Sequence, residues 1–397
     1  MVIFEKYQDD LTVGKKVVLG LQHTFTMFGA TVLVPILTGL DVSVALFMAG
    51  LCTLWFHLIT QGKVPIFLGS SFAFIGPIIV VAAQFGMPYA QGGIVISGLV
   101  YLIFALLVGL FGPKRIIGFF PAIVTGPVII IIGMMLAPVA VGSASVNWWL
   151  AAVSLLIVGV VAIFTKGFIK MLPVICGLVG GYIIAAITGN VDFTPIKEAA
   201  WFGFPKFTMA KFDINAIMII APVAIATMVE HIGDMASITA MTGKDVMANP
   251  GLHRTLIGDG VASSISAMFG GPANTTYSEN SGVLALTRVF NPVVMRIAAC
   301  FAILLSITPK LSAFIATIPQ AVIGGISIVL FGMISSVGVR NLVENNVDFK
   351  KPRNMIIFAV VMVFGLGLGD IRFFSLSPLA FGAIVGIILN KALPDRE

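Results

Sequence analysis

The stretch NTTYSENSG, residues 274–282, sets a dense run of hydrogen-bonding side chains, the carboxyl group of Glu279 among them, between two apolar runs. The chain around it is 58% hydrophobic and only 10% charged. Irregular polar backbone survives at membrane depth only where protein or a water-filled cavity satisfies its amides and carbonyls. The stretch therefore reads as an interrupted membrane segment that lines a site.

Working outward, the 397 residues carry apolar runs long enough to cross a hydrocarbon core about 30 Å thick. Mean hydropathy is +1.08. A soluble enzyme would carry about 25% charged residues, so this chain has too little polar surface to face water. The fold class is an all-α polytopic membrane protein. Residues 1–16 are polar and of mixed charge, and the first apolar run is too long for a cleaved leader, so it is expected to remain as a span. Cys52, Cys176 and Cys300 lie singly in apolar segments without ligand spacing, which indicates no disulfide frame, metal or other cofactor. The net charge of +6 comes from basic residues scattered over loops, not from a continuous patch, so nucleic acid is not an expected partner. No P-loop and no convincing nucleophile–base pair occurs, which argues against an enzyme.

Apolar runs between charges and Pro/Gly breaks give spans near 17–39, 42–60, 66–84, 92–112, 117–138, 147–165 and 168–188. After a polar connection over 190–213 come spans near 214–233, 255–270, 274–287, 291–308, 311–337, 354–370 and 374–391. With a cytoplasmic N-terminus, the loops on that side hold most of the Lys and Arg residues, including Lys63, Lys114, Lys170, Lys244, Arg340, Lys350 and Lys351. The other side keeps Lys197, Lys206, Lys211, Lys310 and Arg372. The charge bias places both termini in the cytoplasm. Seven spans followed by seven gives two halves of opposite orientation, 1–189 and 190–397, the arrangement of inverted-repeat transporters. Two interrupted polar segments, GSSFAFIGP (69–77) and TTYSENSGV (275–283), fall about 207 residues apart in corresponding places. Gln22 and His23 of the first span align loosely with Glu230 and His231 of the eighth.

If both interrupted segments run extended before a short helix begins, their free N–H groups and helix N-termini converge near the bilayer midplane. Such donors suit the carbonyl oxygens of a small polar ligand. MVEHIGDM (228–235) adds Glu230 and Asp234, which share one helix face at i and i+4 with His231 displaced by about 100°. Acids inside a membrane segment mark substrate sites or proton relays. Asp234 is expected nearer the end of its span, where solvent can reach it.

These residues resemble the nucleobase-ascorbate transporter family, and within it the bacterial uracil permeases. Glu279, Asn280, Gly282, Thr287 and Arg288 fit the family's pattern of Gln, Glu or Pro, then Asn-x-Gly, four residues, Thr and a basic or small residue. Gln22-His23, SSFAF (70–74), MVEHIGDM and NPGLHR (249–254) extend the resemblance over essentially the whole chain. It implies fourteen spans as two inverted repeats, with extended segments in spans 3 and 10. It also implies a core domain (about 17–112 and 214–308), a gate domain (about 117–188 and 311–391) and a homodimer in membrane lipid. Residue by residue, it implies that the carboxyl groups of Glu230 and Glu279 hold a base while the backbone amides of Phe72 and Ser278 meet its carbonyls. Ala30, Tyr277 and Phe331 would line the pocket. Asp234, His231, Asn280, Gln22 and His23 would serve proton coupling and support.

Uracil offers two ring N–H donors and two carbonyl acceptors, which suits such a set of groups. Glu279 at the first position of the pattern resembles the pyrimidine branch. Asp234 stands where uracil permeases often carry His and resembles purine carriers; Ser278 replaces a usual Gly, and Phe331 a common Tyr. The expectation is proton-coupled uracil import through the bacterial cytoplasmic membrane by alternating access. A xanthine or other purine symporter is the alternative, and a channel the rival from another class.

Overall fold

A computed structural model describes residues 11–394, apart from 114, 116, 117, 119, 120, 168 and 369–377; the side chains of Ala30, Met171, Ser278 and Glu279 are also outside the described set. Lys114 and Arg372 of the charge count, and the side-chain roles expected of Ala30, Ser278 and Glu279, therefore lie outside the described residues.

The first half runs α1 (Val13–Thr38), α2 (Val42–Ile59), β1 (Leu68–Ser70), α3 (Ile75–Phe85), α4 (Met87–Phe111), α5 (Ala122–Met135), α6 (Ala137–Ser145), α7 (Trp148–Phe164) and α8 (Pro173–Ile187). The second half runs α9 (Thr194–Glu198), α10 (Ile214–Ile220), α11 (Val223–Thr242), α12 (Leu252–Met268), β2 (Asn274–Thr276), α13 (Ser278–Thr287), α14 (Pro292–Ser306), α15 (Pro309–Ala316), α16 (Gln320–Glu344), α17 (Pro352–Gly367) and α18 (Pro378–Ala392). Local sequence sets several of these boundaries. Asp41, Asn147, Asp213 and Asn291 cap the starts of α2, α7, α10 and α14 through side-chain oxygens, satisfying N–H groups that lack a helical partner. Gly39 and Gly243 close α1 and α11 in the left-handed conformation.

Among the described residues, six helices are long and apolar enough to cross a membrane, or seven if α14 and α15, bent by 80° at their junction, count as one span. The helices α7, α8, α17 and α18 are apolar but shorter. Large apolar side chains such as Leu110, Ile163, Phe164 and Ile187 face outward, as lipid rather than water requires. Several boundaries differ from the hydropathy reading, two of them markedly. The expected span at 311–337 is divided into α15 and α16, because Pro319 starts a new helix in place of continuing the old one. The eighth span, expected to stop near 233, continues as α11 to Thr242, so Asp234 lies inside the helix and is buried, not at a solvated end.

Packing falls into two sets. In one, α1 and α2 pack on α14, and α2 and α4 pack on α12. In the other, α5, α6, α7 and α8 pack around α16, while α17 packs on α5 and α18. Close approach within the first set depends on glycine: a Cβ at Gly98 of α4 would collide with the backbone oxygen of Gly260 on α12.

At the centre, β1 and β2 pair antiparallel, with Leu68 opposite Thr276 and Ser70 opposite Asn274. The ladder continues one residue each way, from Ser71 N to Ala273 O (2.9 Å) and from Tyr277 N to Phe67 O (3.0 Å). Two three-residue strands would not hold together alone in water. Here surrounding helices complete their backbone bonding. Thr53 accepts from Leu68 N (3.0 Å), Ser263 donates to Asn274 O (2.8 Å), and the Ser70 hydroxyl donates to Thr31 O (3.1 Å). The polar residues that seemed out of place in an apolar chain are thus partly the seal of a backbone crossing.

Candidate functional site

Each strand leads straight into a helix: β1 into a single tight turn over Phe72–Phe74 and then α3, β2 into α13. The crossing therefore brings two helix beginnings, with their unpaired N–H groups and positive dipole ends, to the same place. Beside it lies a cavity of about 1050 Å³. Its inner wall includes Ser70, Ser71 and Phe72 from the first interrupted segment and Thr275, Thr276 and Tyr277 from the second. Glu230, Gly233, Asp234 and Ser237 come from α11, and Leu330, Met333, Ile334 and Val337 from α16 across the cavity. The opposite end reaches Lys170, Arg340 and Glu344; the last two form a 3.8 Å pair on an exposed surface, so the cavity opens there.

Of the expected site residues, Phe72, Glu230, Asp234 and Tyr277 line this cavity together. Tyr277 leans on Gly69, where a Cβ would sit 2.5 Å from the ring, and its hydroxyl donates to Ser70 O at 3.4 Å. The strand crossing thereby fixes the ring. Phe331 is buried and meets Phe72 edge to face, with ring centroids 6.3 Å apart; it supports the lining and is not part of it. Asn280 is buried at the start of α13. Gln22 and His23 stand on α1 without lining the cavity, whereas Thr26, one turn further on, does.

His231 does not face the cavity. It lies behind Asp234 in a buried network that hydropathy reasoning had not assembled. Its Nδ1 is 2.9 Å from Asp259 Oδ2, and its Nε2 is 2.8 Å from Thr255 Oγ1, both groups being on α12. Asp259 Oδ2 also accepts from the backbone N–H of Thr276 (3.2 Å). The Thr276 hydroxyl donates to Asp234 Oδ2 (2.8 Å) and stands 3.4 Å from His231 Nδ1. Asp259 is thus the functional candidate missed in the sequence. The signal was present, because an acid inside the ninth expected span deserved the same reading as Glu230. Its partners, however, are 17 and 28 residues away in sequence and meet only in the folded chain.

Such an arrangement can bind a small planar polar molecule by amide, hydroxyl and carboxyl groups while holding protons close by. No cluster of metal-binding side chains occurs among the described residues. Broken helices meeting beside an open chamber among membrane-spanning helices are the arrangement of a membrane transporter.

Residues 14–371 match the family model described as "Permease family", that of the nucleobase-ascorbate transporters, and the chain belongs to that family. The chain is 43% identical over 407 residues to the uracil permease of Bacillus caldolyticus, covering 98% of this chain and 94% of that one. It is 43% identical over 402 residues to the uracil permease of Bacillus subtilis, with 95% and 92% covered. At 46% identity over 394 residues it resembles a "Probable uracil permease" of Haemophilus influenzae, with 96% and 95% covered. Among solved structures, the transmembrane domain of the cyanobacterial bicarbonate transporter BicA superposes with a TM-score of 0.68 at 15% identity, covering 94% of this chain and 96% of that one. Murine Solute Carrier 26 family member A9 gives 0.70 at 12% identity, covering 98% and 69%. These two likenesses concern the fold alone.

Proposed function

We propose that the protein imports uracil through the cytoplasmic membrane by proton symport, moving between outward-open and inward-open states. The observation that carries this reading is the shared cavity wall, where Glu230 and Asp234 stand beside the backbone of both broken segments. Uracil's ring N–H groups match carboxylate acceptors and its carbonyls match amide donors, so a site filled by it leaves few buried polar groups unpaired. The uracil permeases among its relatives support the choice of base. Glu279 is the second residue of α13, and its carboxyl group would be the second acceptor; Ser278 and Phe72 would offer backbone N–H groups, and Ala30 of α1 a small apolar wall.

The two packing sets support a division into a core (17–112 and 214–308) that carries the base and a gate (117–188 and 311–391) against which it moves. The offset between the interrupted segments supports two inverted seven-span repeats. The cavity opens where Lys170 and Arg340 stand, the side that the charge bias makes cytoplasmic, which supports an inward-open state with both termini inside. The assembly is a homodimer in lipid. Protonation outside removes an uncompensated charge before the loaded core passes the apolar gate, and release inside resets it.

Proteoliposome uptake of labelled uracil tests the proposal. Accumulation should follow an imposed proton gradient and collapse with a protonophore; accumulation indifferent to the gradient would rule out symport. Because Asp234 favours a purine carrier, competition by xanthine decides the base: xanthine outcompeting uracil would reverse the substrate assignment.

A further inference from the structure

The network around His231 contains one movable hydrogen whose position decides what the ring can carry. His231 is buried on α11 with both ring nitrogens engaged. On the Nδ1 side the acceptors are fixed. Asp259 Oδ2 is held by the Thr276 backbone N–H, and the Thr276 hydroxyl is directed at Asp234, so both oxygens near Nδ1 are placed to accept. Nδ1 therefore keeps its hydrogen whatever the ring's charge. On the Nε2 side the partner is a hydroxyl that can do either job. Thr255 Oγ1 lies 2.8 Å from Nε2 and 3.0 Å from the carbonyl oxygen of Leu252, one turn back on α12. Threonine commonly donates to such a carbonyl, so a second acceptor is always at hand.

We propose that Thr255 is the residue that lets His231 gain and lose a proton inside the protein without stranding a hydrogen-bonding group. When the ring is neutral, Thr255 donates its hydroxyl hydrogen to the Nε2 lone pair. When a proton adds at Nε2, the ring becomes imidazolium and donates there. Thr255 then accepts while its own hydrogen turns to Leu252 O. One N–H bond forms, one positive charge is added beside Asp259, and only a hydroxyl hydrogen rotates. The titratable groups of this region are Asp259 on α12, against the ring, Glu230 and Asp234 on the ring's own helix α11, and Tyr101 on α4 and Cys52 on α2, which lie within electrostatic reach of Asp259. Among these, Asp259 is the one in direct contact with the ring, and Asp234 connects it to the cavity through Thr276. Thr255 touches neither cavity nor substrate and acts through His231 as a positioning residue. The inference rests on the proton-symport reading.

The test compares full-length wild type with Thr255→Val and Thr255→Ser in proteoliposomes, measuring uracil uptake across pH. Valine fills the threonine's volume but cannot accept from an imidazolium N–H. Nor can it donate to the neutral ring, but a stranded charged donor costs more than a stranded lone pair, so the uptake profile should move toward acid by up to about one pH unit. Serine keeps the hydroxyl and should restore the wild-type profile. Thermal stabilisation of Thr255→Val by uracil establishes that the variant is folded. If it is not, Thr255→Cys carries the test, because a thiol of similar size accepts only weakly and should shift the profile in the same direction. A folded Val or Cys variant whose profile superimposes on wild type, or a shift that serine does not restore, overturns the role of Thr255. Wild-type uptake that ignores both pH and protonophore would instead overturn the symport reading, and this inference with it.

Discussion

Asp259 offers a direct test of whether the buried network holds α11, α12 and β2 together. It is fully buried, and its Oδ2 accepts from His231 Nδ1 at 2.9 Å and from Thr276 N at 3.2 Å. Replacing it with alanine strands both donors where water cannot reach them. Each unpaired buried donor costs about 1–3 kcal/mol, so Asp259→Ala should lose roughly 2–6 kcal/mol. Asp259→Asn keeps the shape and one oxygen for Thr276 N–H, so its loss should be about 1–2 kcal/mol. Lys206→Ala, on an exposed connection, should stay within about 0.5 kcal/mol. Thermal unfolding of the detergent-purified proteins reads the order directly. The ranking Ala worst, Asn intermediate and Lys206→Ala neutral is expected. If Asp259→Ala unfolds at the same temperature as Lys206→Ala, neither bond is a stabilising contact and the network has been misread.

Glu230→Gln should weaken uracil binding about 10-fold to 100-fold, the scale of a lost bond to a charged group, while Lys206→Ala leaves it unchanged; isothermal binding measurements decide. Gly69→Ala places a methyl group against the Tyr277 ring and should cost about 1–3 kcal/mol and lower uracil affinity together; unchanged affinity would show that the ring's position is irrelevant. Gly98→Leu drives a side chain into the α12 backbone and should prevent stable folding, seen as loss of a monodisperse peak in size-exclusion chromatography.

Hydropathy alone was enough to make this a polytopic helical membrane protein, because apolar content and thin charge leave no other class of fold. It also located both interrupted segments, since hydrogen-bonding side chains at membrane depth need a local reason, and GSSFAFIGP and NTTYSENSG supply the two strands that pair. Glu230 and Asp234 were legible on one helix face for the same reason: helical spacing and the cost of burying acids are properties of neighbouring residues. What the sequence did not disclose depends on residues far apart in the chain. The antiparallel register of Leu68 with Thr276, the placement of Phe331 behind Phe72, and the meeting of His231 with Thr255 and Asp259 all follow from how helices approach one another. The break near Pro319 and the continuation of α11 to Thr242 belong there too, since an apolar window records how much grease a segment carries and not where its axis turns. Periodicity is a short-range signal, whereas a chamber is made by surfaces that only packing brings face to face.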